Sequence, residues 1–120
     1  MLEARFEEIR GALVVTPLVR RLDAEAAPRL RQTVGPLAAG RSLVVISLAH
    51  VDAVDCSGLA ALVTVLKRLA PGGELRLAAA NGSVRALLAA THLDELFPVF
   101  PEVVGALPSA CDDTGTALAT

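Results

Sequence analysis

The chain of 120 residues is long enough for one hydrophobic core and too short for two. Hydrophobic residues make up 53% of it and charged residues 20%, which excludes global disorder, and no apolar run approaches the roughly 18–20 residues of a membrane helix. A net charge of −2, scattered basic residues and an aromatic content of three phenylalanines argue against a nucleic-acid-binding surface.

The start of the chain and its two cysteines favour a cytoplasmic protein. Residues 1–8 are rich in acidic side chains, where a secretory signal has basic residues followed by an apolar stretch. Cys56 and Cys111 lie far apart and predict neither a disulfide framework nor a zinc site. We therefore expect no export, no membrane insertion and no bound metal.

The first residues have the pattern of two strands. Extended segments cover residues 5–10 and 12–16, and Gly11 separates them. Pro17 follows directly. It predicts either a bulge or a position at which a backbone N–H donor is dispensable.

A helix and a buried strand come next. Residues 23–39 have helical spacing, and Gly35-Pro36 is expected to kink this helix or end it about one turn early. Residues 42–48 contain the continuous apolar run Leu43-Val44-Val45-Ile46, which is typical of a parallel strand buried on both faces.

The rest of the chain repeats this alternation. It predicts a helix over residues 57–70, a strand over 74–79, a helix from 81, a short strand over 96–100 and a short helix over 102–107. The order indicates an α/β fold with a mostly parallel sheet, an antiparallel edge and about four helices. We expect one domain over residues 1–107 and a flexible tail over 108–120.

A short loop after the buried strand delivers the segment Asp55-Cys56-Ser57-Gly58 to the start of the second helix. Asp55 or Ser57 can cap that helix by accepting a hydrogen bond from a free backbone N–H, and Gly58 eases the tight turn. Considered alone, the segment is explained by helix capping.

The segment Asp55-Cys56-Ser57-Gly58-Leu59 also resembles the Asp-Ser-Ser-Gly-Leu signature of STAS domains, the fold of bacterial anti-sigma factor antagonists. Leu22-Asp23-Ala24 and residues 27–31 are similar to the Leu-Asp turn and first helix of that family. Residues 43–48 match its central strand, and residues 93–99 match a frequent C-terminal pattern. The resemblance covers about residues 10–107 and implies the STAS fold.

The resemblance implies a phosphorylation switch that regulates sigma-dependent transcription. In sigma-regulating members, the serine before the glycine, which is Ser57 here, is phosphorylated by an anti-sigma factor that is also a serine kinase. The dephosphorylated antagonist binds that anti-sigma factor and frees the sigma factor, and a serine phosphatase resets the switch. The protein is then a ligand and substrate rather than an enzyme, and we expect a monomer without a cofactor.

The expected partner surface surrounds Ser57. Asp23 and Asp55 both follow strands and open helices, so we expect them at one end of the sheet, as partner contacts, as caps or as both. Cys56 and Gly58 flank the serine. On the second helix, a stripe opposite the expected core stripe is predicted to face solvent and dock a partner: Ala61, Thr64, Val65 and Arg68.

Four positions depart from the family pattern. Cys56 takes the place of the first serine of the motif, which leaves Ser57 as its only hydroxyl. Ser47 stands where many members carry Asp, and Arg20 and His92 stand where many carry Gly.

The sequence offers two alternatives to an antagonist. STAS subunits of larger phospholipid-transport or stress-signalling assemblies keep a similar turn, so a structural or regulatory interaction module is the alternative. Cys56 with His50 would form a thiol nucleophile and base, but no orienting Asn or oxyanion site accompanies them, and we expect no catalysis.

Overall fold

The computed structural model describes residues 3–107. The predicted tail at 108–120, which includes Cys111, lies outside these residues. Within them the chain forms, in order, β1 (Ala4–Ile9), β2 (Ala12–Pro17), β3 (Arg21–Leu22), α1 (Ala26–Ala38), β4 (Leu43–Ser47), β5 (Ala53–Val54), α2 (Cys56–Lys67), β6 (Glu74–Ala78), α3 (Gly82–Ala90), a short 3-10 helix (Leu93–Glu95), β7 (Val99–Phe100) and α4 (Val103–Ala106).

The main sheet has five strands in the order β1-β2-β4-β6-β7. β1 and β2 form an antiparallel hairpin, and the pairs β2–β4, β4–β6 and β6–β7 are parallel. The predicted α/β fold, with a mostly parallel sheet and an antiparallel edge, is confirmed. The central position of β4 explains its uninterrupted apolar sequence, because Val44, Val45 and Ile46 are fully buried.

The two faces of the sheet are covered unequally. On one face, buried residues of α1, α2 and α3 pack with alternate strand residues into a large core that contains Leu30, Leu62 and Ile46. On the other face, the single turn of α4 packs Ala106 and Leu107 against a much smaller cluster. The large core therefore fixes the positions of α1 and α2.

Pro17 lies where no donor is needed, which is the second of the two alternatives that its sequence position left open. It is the last residue of β2 and pairs with Ala4. Leu18 N donates to Glu3 O at 2.9 Å, so the next pair, Ala4 and Pro17, points its backbone groups away from each other. The parallel pairing of β2 with β4 has already ended at Val15.

Of the two outcomes expected at Gly35-Pro36, a kink or an early end of the first helix, the early end does not occur. α1 continues to Ala38 with Pro36 inside it, and Ala39 N closes the last turn on Gly35 O at 3.0 Å. Pro36 is exposed, whereas Val34 and Ala38 are fully buried. Burial of these neighbours holds the last turn in place despite the hydrogen bond that proline cannot make.

Candidate functional site

Two short segments meet beside the start of α2. β3 pairs with β5 in parallel, with Leu22 opposite Val54, so the following residues Asp23 and Asp55 lie side by side. Asp55 N donates to Leu22 O at 3.1 Å. Both residues line one surface groove and so lie close together as expected, but they follow a separate two-stranded sheet and not strands of the main sheet. The strands themselves are not predicted from the sequence, because two residues carry no periodicity.

Each aspartate holds the turn that opens a helix. Asp55 Oδ1 accepts from Gly58 N at 3.1 Å and caps α2. Asp23 Oδ1 accepts from Glu25 N and Ala26 N, both at 3.1 Å, immediately before α1. These bonds satisfy backbone donors that a helix start leaves without partners.

Ser57 is the second residue of α2, and its side chain is partly exposed. Since Asp55 supplies the cap, the Ser57 hydroxyl is not needed for it, and it makes no hydrogen bond within the described chain. Cys56, directly before it, is an exposed free thiol. The first turn of α2 therefore presents one uncommitted hydroxyl at the positive end of the helix dipole.

Gly58 makes the close contact between the two segments possible. A Cβ at this position would lie 2.3 Å from Leu22 O and 2.9 Å from Leu22 Cβ. Any larger residue would force β3 away from α2. The turn that the sequence assigns to Gly58 is thus also a packing contact.

The start of α3 is hydrogen-bonded to the segment that precedes α2. Asn81 caps α3 by accepting from Val84 N at 2.8 Å, and its amide nitrogen donates to Asp52 O at 2.9 Å. The Asp52 carboxylate in turn lies 2.8 Å from Arg20 Nε in an exposed ion pair. The sequence marks Asn81 as part of a helix start, but nothing in it signals the link to Asp52.

The outer face of α2 differs from the prediction. Ala61 and Val65 are fully buried, so the expectation that they face solvent is wrong. The physical reason is that α1 packs along this side of α2, close enough that a Cβ at Gly35 would lie 3.1 Å from Arg68 Nη1. Thr64 and Arg68 are exposed, as predicted, and line the groove between the two helices.

The structure describes the surroundings of Ser47 and His92, two of the four residues that depart from the family pattern. Ser47 is buried at the end of β4, where it pairs with Ala78 of β6. His92 has a φ of 61°, a left-handed conformation that glycine adopts most readily, and it follows the end of α3. His92 Nδ1 lies 3.5 Å from a carboxylate oxygen of Glu95.

The part of the chain that the structure describes meets the requirements of neither a membrane span nor a metal site. Over residues 3–107 no helix is long and apolar enough to cross a membrane. The same residues contain no group of three or more His, Cys, Asp or Glu side chains that could hold a metal ion.

Two solved structures are similar to this chain over most of its length. An anti-sigma factor antagonist from Mycobacterium paratuberculosis is 26% identical, with a TM-score of 0.78 over 88% of this chain and 91% of that one. An anti-sigma-factor antagonist (STAS) domain protein from Planctomyces limnophilus is 24% identical, with a TM-score of 0.79 over 88% of this chain and 95% of that one.

The same fold extends to more distant proteins. The unphosphorylated form of the anti-sigma factor antagonist SpoIIAA has a TM-score of 0.66 at 18% identity, over 81% of this chain and 87% of that one. A sulfate transporter family protein from Wolinella succinogenes has a TM-score of 0.67 at 19% identity, over 82% and 84%. Comparison with curated protein sequences gives no match. The family model of the STAS domain matches residues 3–106, and the chain belongs to this family.

Proposed function

We propose that the protein is a cytoplasmic anti-sigma factor antagonist that is switched by phosphorylation of Ser57. Without the phosphate it binds an anti-sigma factor that is also a serine kinase, which frees a sigma factor for transcription. The kinase transfers the γ-phosphate of ATP to Ser57 Oγ and the complex dissociates. A serine phosphatase then restores the hydroxyl. ATP and Mg²⁺ belong to the kinase, and this chain contributes the acceptor.

The observation that carries the proposal is that Asp55, and not Ser57, caps α2. A serine whose role was to stabilise α2 would accept a hydrogen bond from a first-turn N–H. That bond goes to Asp55 Oδ1 instead, at 3.1 Å, and the Ser57 hydroxyl makes none within residues 3–107. The hydroxyl is therefore free to accept a phosphoryl group without loss of a native contact.

The site also tolerates a phosphate in physical terms. Phosphoserine carries about −1.5 to −2 charges at pH 7. On Ser57 that charge lies beside first-turn N–H groups and the positive end of the helix dipole, which favour an anion. Repulsion from the Asp55 carboxylate is weakened by solvent, because both side chains are accessible. At a protein interface the same phosphate must lose its water, so it opposes binding more than it opposes folding.

The structural neighbours support an antagonist in particular. Three of the four structures reported above are described as anti-sigma factor antagonists, and two of them align with 88% of this chain. SpoIIAA has a named unphosphorylated form, which supports a phosphorylation switch in an antagonist of this fold.

The direct test is phosphate transfer by an anti-sigma factor kinase encoded in the same genome. Incubation with this kinase and Mg·ATP should add one phosphate, which intact-mass spectrometry detects and peptide mapping locates on Ser57. Ser57→Ala is the test variant, and Ser83→Ala is the matched control, because Ser83 is an exposed serine at the same position of α3. Full phosphorylation of Ser57→Ala would contradict the proposal.

The alternative function is that of a STAS subunit in a larger assembly. The similarity to a sulfate transporter family protein supports this alternative. Affinity capture of the tagged protein from its host distinguishes the two. An anti-sigma factor kinase among the captured proteins supports the antagonist, whereas transporter subunits support the assembly.

A further inference from the structure

The outer edge of β1 presents main-chain groups that no neighbouring strand satisfies. Within the described chain, β1 ends the sheet and pairs with β2 alone. Leu18 N donates to Glu3 O at 2.9 Å, which makes these two residues a hydrogen-bonded pair and sets the phase of the ladder. The N–H and C=O groups of Ala4, Phe6 and Glu8 therefore point away from β2.

Side chains along this strand differ between its two faces. Phe6 lies opposite Val15, on the face covered by α1 and α2, and is 39% exposed. Arg5 and Glu7 lie on the other face, and both are exposed. Neither of them forms an ion pair with another of residues 3–107.

We infer that β1 binds β1 of a second copy of this chain. The two strands run antiparallel about a two-fold axis that is perpendicular to the sheet and passes beside Phe6. The two main sheets then join into one continuous sheet, and the interface is self-complementary, as two-fold symmetry requires. This dimer replaces the monomer expected from the family resemblance.

The main chain limits the possible registers. The outward groups belong to residues 4, 6 and 8, so these residues must pair with one another in the second copy. Centring the axis on Phe6 pairs Phe6 with itself and Ala4 with Glu8 in both directions. Every outward group of β1 is then used, and each of these pairs exchanges two N–H···O bonds.

The charges select the same register. With the axis on Phe6, Arg5 lies opposite Glu7 of the second copy, and symmetry makes this ion pair twice. An axis on Arg5 opposes two arginines, and an axis on Glu7 or Glu8 opposes two glutamates. An axis on Ala4 would also oppose unlike charges, Arg5 and Glu3, but only Ala4 of the three outward residues would then pair within β1. Like charges directly opposite each other destabilise a strand pair, so the axis on Phe6 alone combines unlike charges with the use of all three outward residues.

These charges also explain why the edge favours a copy of itself over other strands. Charged side chains on an edge strand normally discourage pairing with foreign chains. Here they are complementary to the same strand in a single register.

The interface also leaves Ser57 accessible. β2 lies between β1 and β4 in the sheet, and Ser57 follows β4 and β5 in the chain.

Charge reversal tests the dimer by sedimentation equilibrium of the whole protein. Arg5→Glu and Glu7→Arg should each weaken self-association at least about tenfold, since each opposes like charges twice. The double variant should recover the wild-type dimer. An equimolar mixture of the two single variants should form a heterodimer, because each then opposes the other's charges correctly. Glu3→Arg, at the residue before β1, is the control, since this register places Glu3 opposite Ile9, and it should leave association unchanged.

The outcomes that overturn the inference are equally specific. A wild-type protein that stays monomeric up to about 1 mM, which corresponds to negligible association, would contradict it. So would a dimer that neither single reversal weakens, or single variants that fail to associate when mixed. Thermal unfolding of each variant separates loss of the interface from loss of the fold.

Discussion

At Gly58 the sequence motif and the packing require the same residue. A Cβ there would lie 2.3 Å from the Leu22 carbonyl oxygen, a backbone atom that cannot move without its strand. We expect Gly58→Ala to lower the free energy of unfolding by about 1–3 kcal/mol, the usual cost of overpacking. Alanine's better helix propensity offsets less than about 1 kcal/mol of this.

Gly82→Ala is the matched control in the same urea-denaturation experiment. Gly82 also lies in the first turn of a helix, but nothing lies within 4 Å of a Cβ placed there. Its substitution should be neutral or slightly stabilising. Equal destabilisation by the two changes would show that helix starts, and not the contact with Leu22, require glycine.

Substitution of Ser57 separates a switch from a structural serine. Ser57→Asp should bind the anti-sigma factor about two to four decades more weakly than wild type, because an unpaired charge buried at an interface costs about 3–5 kcal/mol. Ser57→Ala should bind about as well as wild type. Isothermal titration calorimetry with the captured partner measures all three affinities.

The melting temperatures of these variants control for folding. An acidic residue in the first turn of α2 is favourable to the helix dipole, so Ser57→Asp should not lower the melting temperature. Equal affinities for the three proteins would mean that Ser57 takes no part in binding and would favour the assembly subunit.

At the scale of the helix, α2 buries two sides instead of one. Leu62 on one side and Ala61 and Val65 on another are all fully buried, and α1 packs against this helix, while Thr64 is exposed. Thr64→Arg should therefore change stability by less than about 0.5 kcal/mol and weaken partner binding.

Ala61→Arg should lower the melting temperature strongly, since it places a charge and a long side chain inside the core. Thermal unfolding and binding of the two variants give the comparison, and an unaltered melting temperature for Ala61→Arg would contradict the packing described.

Most of the helices and strands could be predicted from sequence because each has its own periodicity. The continuous run in β4 and the helical spacing of α2 both depend on local pattern, and both have structural counterparts. The side of α2 that α1 covers depends on how two helices pack, which a single helix pattern does not specify. Local rules also allow α1 to end early at Gly35-Pro36, and it does not, because burial of Val34 and Ala38 outweighs the effect of Pro36.

At the scale of the whole molecule, the site is made by contacts between distant segments. The motif around Ser57 is visible in the sequence, and the capping role of Asp55 follows from its position before a helix. The contact of Gly58 with Leu22 and the bond from Asn81 to Asp52 O join three helix starts, and neither leaves a trace in local sequence. The sequence could therefore predict that Asp23 and Asp55 lie close together at helix starts, but not which contacts hold these segments in place.

Because β3 pairs with β5, two loops that are distant in sequence must open together. The amides of Asp52 and Ala53 both donate to Arg20 O, and that of Asp55 donates to Leu22 O. Surface loops usually exchange their amide hydrogens rapidly, whereas these three must wait for the two segments to separate. Hydrogen–deuterium exchange should show them slow and nearly equal in rate, and Gly58→Ala should accelerate all three while the β1–β2 hairpin keeps its protection.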